Sequence, residues 1–276
     1  MLPGDLAPGD ARCLESHFSG ARLHRIESGN DPLFHMAYGL LWDEFGLIGE
    51  LEEESVLEER LAWTGETLED GCAMRYRLML VTMDGEPAAV RDHTAIEVAG
   101  HPGVVVHLSH NLVLPPWRRS GLAGWMRALP VQTARSLLDL QNRPTDEPIT
   151  LVGEMEPPDP DVVATMVRLR AYSKAGFLKV HPHQYSYHQP DFRSPEAIDS
   201  SGGPHPVPLQ LIVRRVGRES ETSIGRKELA DLVDALYRMY ERGFRESDML
   251  PLRNDLAAWP LEGPPVDLVA PTYPFL

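Results

Sequence analysis

Residues 111–126 place two arginines and two glycines where a strand pattern changes to a helix pattern. The pattern predicts a β-strand, a glycine-containing turn and an amphipathic helix. Backbone N–H groups at a helix N-terminus lack intrahelical partners and carry the positive end of the helix dipole. Gly121 and Gly124 let a ligand approach the backbone closely, and Arg118 and Arg119 add cationic donors. This chemistry predicts an anion site, such as a phosphate cradle, without specifying the anion.

The spacing of the turn narrows the choice of ligand. Neither G-x-G-x-x-G nor G-x-x-x-x-G-K-[ST] occurs there, which excludes two common nucleotide motifs. What occurs is Arg118-x-x-Gly121-x-Ala123, after a strand that ends in Val113-x-Pro115. This pattern resembles the acetyl-CoA loop, Arg/Gln-x-x-Gly-x-Gly/Ala, of the GCN5-related N-acetyltransferase (GNAT) family. The resemblance implies that acetyl-CoA, as co-substrate, is bound by Leu112, Val113, Leu114, Arg118, Arg119, Ser120, Gly121, Leu122, Ala123 and Gly124.

A second element, about fifty residues further on, supports the same resemblance. Tyr172-Ser-Lys-Ala-Gly176-Phe177 is similar to the family's Tyr-x-Lys-x-Gly-Phe, which ends the helix beside the thiol of coenzyme A. Gly176 is expected to end that helix in a left-handed conformation. Asp159-Pro160 predicts its start. The family often has an asparagine where this chain has Thr165, so one side-chain contact to the cofactor would be absent.

The elements around these motifs predict an α+β fold. Strand patterns occur at 21–26, 75–83, 87–98, 104–114, 149–155 and 209–216, and Asp84-Gly85 predicts a two-residue hairpin. Helices are expected from residue 31 or 32 to 45, over 52–62, and after residue 121, where Pro130 predicts a kink or two short helices. The order resembles the GNAT core, which implies a mostly antiparallel central sheet with helices on both faces.

The same patterns suggest how the chain is divided. Residues 1–217 are expected to form the acyltransferase domain, and residues 189–208, rich in Pro, Gly and Ser, a long connection within it. Residues 218–276 would form an extension with an amphipathic helix over 226–245 and a proline-rich tail. This extension is expected to pack on the core or on a partner subunit.

Transfer of an acetyl group from a thioester to an amine requires a base, polarisation of the carbonyl and a proton for the thiolate. His107 lies where the histone and arylalkylamine branches of the family carry a base, and an imidazole suits this task near neutral pH. Glu154 and Glu97 are the other candidate bases. Tyr172 matches the family tyrosine that donates to the sulfur. Each also has a structural alternative: a packed strand histidine, exposed carboxylates or a core tyrosine.

The composition of the chain argues against several other classes of function. The chain has 276 residues, 41 acidic and 26 basic, with a formal net charge of −15. This charge disfavours nucleic acid and anionic membranes as partners. Two cysteines argue against a disulfide framework and a structural zinc site. With no apolar run long enough to cross a bilayer, a cytoplasmic protein is expected.

The histidines at positions 181, 183 and 188 have no carboxylate cluster nearby in the sequence, so no metal is predicted. They are expected to follow Phe177 on a strand beside the substrate cleft.

Two functions remain open at this point. One is an acetyl-CoA-dependent N-acetyltransferase that acts on a primary amine of a small molecule or peptide. The other is a non-catalytic GNAT-fold protein that binds acyl-CoA or a protein partner. A homodimer is the oligomer expected of the fold. The sequence does not indicate which amine is the acetyl acceptor, although the acidic residues at 50–54 could attract a cation.

Overall fold

The computed structural model describes residues 3–7, 9–10, 13, 18–46, 51–159 and 161–273. Contacts divide the chain into two units, Met1–Ile149 and Thr150–Leu276. Each unit contains antiparallel strands and helices, so the predicted α+β class is confirmed. None of the described helices is long and apolar enough to cross a membrane.

Unit 1 is built on antiparallel strands in the order β1, β3, β4, β5. The long hairpin of β3 and β4 turns at Asp84 and Gly85, whose φ angles of 50° and 91° are those of a tight two-residue turn. Strand β2 pairs with β3, and β6 pairs with β4. The bounds are β1 Ala21–Ile26, β2 Thr64–Thr67, β3 Cys72–Met83, β4 Glu86–Val98, β5 Val104–His107 and β6 Asn111–Val113.

Helices cover both faces of the unit 1 sheet. The bounds are α1 Phe34–Phe45, α2 Glu54–Leu61 and α3 Leu122–Leu140. Leu78 and Leu80 of β3 join a buried cluster with side chains of α1 and α2. Val81 and Met83 join a second cluster with Leu122 and Met126 of α3. Period-two alternation along β3 thus supplies a core on each side, as predicted.

One prediction for unit 1 is corrected, and one of two alternatives is selected. Residues 104–114 form two strands, because 108–110 leave the ladder between β5 and β6. Residues after 121 form one helix rather than two short ones, although Pro130 lies inside it. Pro130 has no backbone N–H, so α3 lacks one intrahelical hydrogen bond there. Met126 and Leu137, on either side of Pro130, are fully buried. Burial on both sides keeps the helix continuous.

Unit 2 carries a second run of antiparallel strands in the order β7, β10, β8, β12, β11, with β9 on β10. The strand bounds are β7 Ile149–Met155, β8 Leu178–Val180, β9 Tyr187–Gln189, β10 Val207–Arg215, β11 Ser223–Ile224 and β12 Val266–Val269. The helices are α4 Val163–Lys174, α5 Pro195–Ser200, α6 Arg226–Tyr240 and α7 Glu246–Ala258.

The C-terminal residues are more ordered than their composition suggested. The connection at 189–208 contains α5, and the proline-rich tail contains α7 and β12. Strand β12 pairs with β8 through Leu268 opposite Val180, so the tail is part of the unit 2 sheet. The domain boundary expected at 217/218 stays a prediction.

Helix α4 begins later than predicted. Its N-cap residue is Val162, whereas Asp159 accepts the backbone N–H of Asp161 at 2.9 Å. Pro160 lies outside the described residues. The predicted end is confirmed, because Gly176 has φ 79° and Phe177 donates its N–H to the Tyr172 carbonyl at 3.1 Å.

Candidate functional site

The loop between β6 and α3 has the backbone shape of an anion site. After a 3-10 turn at Pro115–Trp117, Arg119 takes φ 69° and Gly121 takes φ 94° as the N-cap residue of α3. Ser120 closes the loop: its Oγ donates to the Trp117 carbonyl at 2.7 Å and accepts the Leu122 N–H at 3.2 Å. Alternating left-handed residues turn successive amides to one side of a loop.

Several backbone amides of this loop donate no hydrogen bond to the described part of the chain. Among the described residues, the backbone N–H groups of Arg119, Gly121 and Ala123 donate to no protein acceptor. They lie at the positive end of α3, a helix of 19 residues. Three amide donors at such a position can donate hydrogen bonds to a phosphate.

Positive charge is concentrated at the same place. Arg118 and Arg119 are both exposed. The Nε of Arg118 donates to the Val113 carbonyl at 3.1 Å, which holds its guanidinium beside the end of β6. Among the described residues, neither arginine forms an ion pair with a carboxylate. In a chain of net charge −15, two guanidinium groups without a carboxylate partner among the described residues, beside three amides, favour an anionic ligand.

Gly124 has a different role from the predicted one. A Cβ built there would lie 2.2 Å from Cys13 Sγ, so Gly124 allows the N-terminal segment, rather than a ligand, to approach α3. Cys13 Sγ donates to the Gly121 carbonyl at 3.1 Å, and Trp125 Nε1 donates to the Cys13 carbonyl at 3.0 Å. Arg127 and Asp10 add an ion pair at 2.5 Å.

Of the three β6 residues expected to bind the co-substrate, fewer than three have a backbone amide available to it. Leu114 donates its N–H to the Ala88 carbonyl at 2.9 Å, and Leu112 lies opposite Val90 in the ladder. Because alternate residues of an antiparallel strand face the same partner, the Leu112 and Leu114 amides serve β4. Val113 directs its N–H away from β4 and remains the candidate donor of the three.

His107 ends β5 opposite Thr94, and its side chain is buried. Its Nδ1 lies 3.2 Å from Ser109 Oγ, so the hydroxyl can fix the tautomer of the ring. Ser109 thus lies beside His107, in the segment between β5 and β6.

Sequence reasoning missed a buried cluster in unit 1. His110 approaches Asp92 Oδ1 with its backbone N at 2.7 Å and its Nδ1 at 3.0 Å, and the Tyr76 hydroxyl donates to Asp92 Oδ2 at 3.1 Å. Burial alone would raise the pKa of Asp92, but the His110 charge and hydrogen bonds lower it to about 2. Burial, together with Asp92, raises the pKa of Tyr76 well above its ordinary value. The ladder register is the signal that would have placed Asp92 opposite His110.

Tyr172 and Glu154 lie in unit 2, and Tyr172 is half-buried in the last turn of α4. The ring of Tyr172 packs edge-on against Phe177, with 5.0 Å between centroids. This contact orients the phenol, and it agrees with both the catalytic and the packing interpretation.

The Glu154 carboxylate already accepts hydrogen bonds from other side chains. It accepts hydrogen bonds from the hydroxyls of Tyr187 and Tyr240, each at 2.5 Å, and from Gln189 Nε2 at 3.2 Å. A base must give up such partners to take a proton, so this geometry favours a structural role. Glu97 is buried in an ion pair with Arg143, which also favours structure.

The strand expected after Phe177 is present but short, so the three histidines are divided: His188 lies on β9 opposite Pro208, and the other two lie outside a strand. Strand β8 ends at Val180, and His181 and His183 lie in the turn that follows it. Their rings are 5.7 Å apart between centroids, and His181 also lies 5.4 Å from the Tyr273 ring.

No family model matches the chain, and no curated protein matches it. Solved structures do. Ard1 from Thermoplasma volcanium is 14% identical, with 71% of this chain and 98% of that chain covered and a TM-score of 0.41. An acetyltransferase of the GNAT family from Streptococcus pneumoniae is 14% identical, with 71% and 99% covered and a TM-score of 0.40.

N-acetylglutamate synthase from Neisseria gonorrhoeae, complexed with coenzyme A and N-acetyl-glutamate, is also similar. It is 13% identical, with 72% of this chain and 35% of that chain covered and a TM-score of 0.39. Similarity at this level does not extend to substrates or catalytic residues, which must be argued from the side chains.

Proposed function

We propose that this protein transfers an acetyl group from acetyl-CoA directly to a primary amine of a small molecule or peptide. The observation that carries the proposal is the β6–α3 loop. Among the described residues, three amides of this loop have no protein acceptor and its two arginines have no carboxylate partner. They lie at the N-terminus of a long helix, in a sequence that resembles the acetyl-CoA loop of the GNAT family.

In this proposal the loop holds the pyrophosphate of the co-substrate. The amides of Arg119, Gly121 and Ala123 donate to phosphate oxygens, and the guanidinium groups of Arg118 and Arg119 neutralise their charge. The pantetheine arm is peptide-like, so the outward N–H of Val113 is suited to one of its carbonyls.

The proposal gives the proton transfers to His107, at the end of β5, and to Tyr172 of the second motif. His107 accepts the proton that the amine loses as its nitrogen attacks the thioester carbonyl, and Ser109 Oγ orients the ring. When the C–S bond breaks, Tyr172 donates its phenolic proton to the thiolate. Glu154 has no step here, because the hydroxyls of Tyr187 and Tyr240 already bond to it.

A non-catalytic role remains the alternative. Such a protein would need the loop but neither His107 nor Tyr172 as a proton carrier. The two functions separate in their response to substitution, because loop variants weaken binding in both, whereas His107 and Tyr172 variants change a rate only in an enzyme.

A thiol-release assay tests the proposal. Acetyl-CoA is supplied with a panel of primary amines that spans polyamines, aminoglycosides, free amino acids and peptides with a free N-terminus. We expect amine-dependent release of coenzyme A, reduced by at least about a hundredfold in His107→Ala, as is typical of general-base loss. Arg22→Ala, at an exposed position on β1, should match the wild type. Equal rates in His107→Ala and the wild type would contradict the assignment of the base.

A further inference from the structure

Three arginines of unit 1 share one face of its sheet. Arg75 and Arg77 are two residues apart on β3, and Arg25 of β1 lies opposite Met79, which is next on the same face. Period-two alternation continues this face to Val81, which packs against α3. The three arginine side chains therefore lie on the α3 side of the sheet.

The three arginines lie at an opening in the edge of β3. Strand β1 pairs with β3 from Leu78 onward, and β2 pairs with it up to Arg75, so residues 76 and 77 are paired with neither strand. Tyr76 donates its N–H to the Trp63 carbonyl at 3.1 Å, away from β4, and its own carbonyl points to the same side. The Nη1 of Arg77 donates to that Tyr76 carbonyl at 3.0 Å, which holds the guanidinium at the opening.

A ligand can reach these guanidinium groups. Arg77 is 9% exposed, Arg75 is half-buried and Arg25 is exposed. Of the guanidinium nitrogens of Arg75 and Arg77, only Arg75 Nε is a fully buried atom without a hydrogen bond. Among the described residues, none of the three arginines forms an ion pair with a carboxylate. Their remaining N–H groups therefore face solvent and are available as donors.

The three positive charges repel one another. Burial, and then the charges of Arg75 and Arg25, lower the pKa of Arg77 to about 10, and burial and Arg25 lower the pKa of Arg75. Glu27, exposed after the end of β1, is the one described carboxylate that opposes these shifts. Three guanidinium charges against one carboxylate leave two positive charges uncompensated, in a chain of net charge −15. Like charges held together destabilise the fold, and such an arrangement is typical of a binding site.

The arginines are remote from the β6–α3 loop. A Cβ built on Gly65 of β2 would lie 3.0 Å from Leu137 Cδ1 of α3 and 3.9 Å from Arg75 Cβ, so Arg75 lies beside the last turns of that helix. The loop precedes the first turn, and a helix of 19 residues is about 28 Å long. A pyrophosphate on the loop is therefore too far away to contact the arginines.

We propose that Arg25, Arg75 and Arg77 form a second anion site, which binds a phosphate group. A phosphate group carries about −1.5 to −2 charges near pH 7 and at least three acceptor oxygens, which match two uncompensated charges and three guanidinium groups. A monocarboxylate supplies one charge and two oxygens, so it should bind more weakly. The site lies within unit 1, and the proposal does not depend on acetyl transfer.

Calorimetric titration of the full-length Arg118→Ala/Arg119→Ala variant with inorganic phosphate tests this, because that variant lacks the cations of the loop. Glycerol 3-phosphate is the phosphate monoester and acetate the monocarboxylate, with sodium chloride added to keep the ionic strength constant. We expect saturable binding of both phosphates, with Kd of about 1 mM or lower, and at least about tenfold weaker binding of acetate. The tighter of the two phosphates identifies free phosphate or a phosphorylated molecule as the ligand. No saturable binding of either phosphate, or equal affinity for acetate, would overturn the proposal.

Substitutions locate the binding. Arg77→Met and Arg75→Met keep an apolar stem and remove the charge, so each should weaken phosphate binding at least about tenfold in the same background. Without phosphate, each should melt at an equal or higher temperature, because a repelling charge is removed. Arg25→Met, at an exposed position, is a third variant with the same expectation.

Arg22→Met is the matched control, because Arg22 is also exposed on β1 but lies on the opposite face of the sheet. It should bind phosphate as tightly as the background variant. Unchanged phosphate affinity in all three cluster variants, or lower melting temperatures in both Arg75→Met and Arg77→Met, would refute the assignment of these arginines to a binding site.

Discussion

Replacement of Glu154 separates its structural role from a catalytic one. The carboxylate accepts from the buried hydroxyls of Tyr187 and Tyr240, each at 2.5 Å. In Glu154→Gln, one hydroxyl meets an amide NH₂ instead of an oxygen and loses its acceptor. A hydrogen bond to a charged group contributes about 1.5–3 kcal/mol, and water can reach the half-buried carboxylate, so we expect a loss of about 2 kcal/mol in unfolding free energy.

Glu154→Ala removes the acceptor for both hydroxyls, and the loss should rise to about 4 kcal/mol. Urea unfolding followed by circular dichroism measures both values, with the slope checked for a change in two-state behaviour. Glu156→Gln is the matched control, since the side chain of Glu156 is 56% exposed and its ion pair with Arg168 spans 3.6 Å. That control should stay within about 0.5 kcal/mol of the wild type.

The result that would refute this reasoning is a stable Glu154→Gln variant with no activity. Stability within about 0.5 kcal/mol of the wild type would mean that the two phenols do not depend on the carboxylate. An inactive enzyme with unchanged stability would restore Glu154 as a candidate base.

Three further predictions concern other parts of the chain. Lys179 is fully buried, and burial lowers its pKa from 10.5 to about 8. Between these pH values the unfolded chain binds more protons than the folded one, so the free energy of unfolding should rise with pH, by up to ~3 kcal/mol. Thermal unfolding from pH 7.5 to 9.5 measures this rise, and Lys179→Met should abolish it. Tyr172→Phe should lower the rate of thiol release and leave coenzyme A affinity nearly intact; equal rates would make Tyr172 a packing residue. Gly124→Val should displace the N-terminal segment, so that a thiol reagent labels Cys13 at least about tenfold faster while buried Cys72 stays protected; unchanged labelling would contradict the close approach.

Much of the fold could be predicted from local patterns. The bounds of β1 and β7 agree with the sequence to the residue, and the hairpin at Asp84 and Gly85 follows from turn chemistry. Prediction failed where packing overrides local preference. The proline-rich tail contains β12, which is stabilised by a partner strand far away in sequence. Local patterns also left open whether Pro130 lies in one helix or separates two, and burial of both halves keeps α3 continuous.

The candidate site divides in the same way. The loop of Arg118 and Gly121 could be predicted because its residues are adjacent in sequence and its shape is set locally. Neither the pairing of Asp92 with His110 nor the two tyrosines on Glu154 could be found, since each depends on the register of separate strands or helices. Gly124 was misassigned because nothing local shows that Cys13 covers it.

Isothermal titration of the full chain with acetyl-CoA and with free coenzyme A tests the central claim most directly. Arg118→Ala/Arg119→Ala and Arg118→Ala/Gly121→Val should each weaken binding at least about tenfold, or ~1.4 kcal/mol, whereas Arg22→Ala should leave it unchanged. The account predicts micromolar binding of both ligands by the wild type, weaker at high salt because phosphate charge is being neutralised. Absence of binding, or equal affinity in all variants, would mean that the β6–α3 loop is only a strand-to-helix turn.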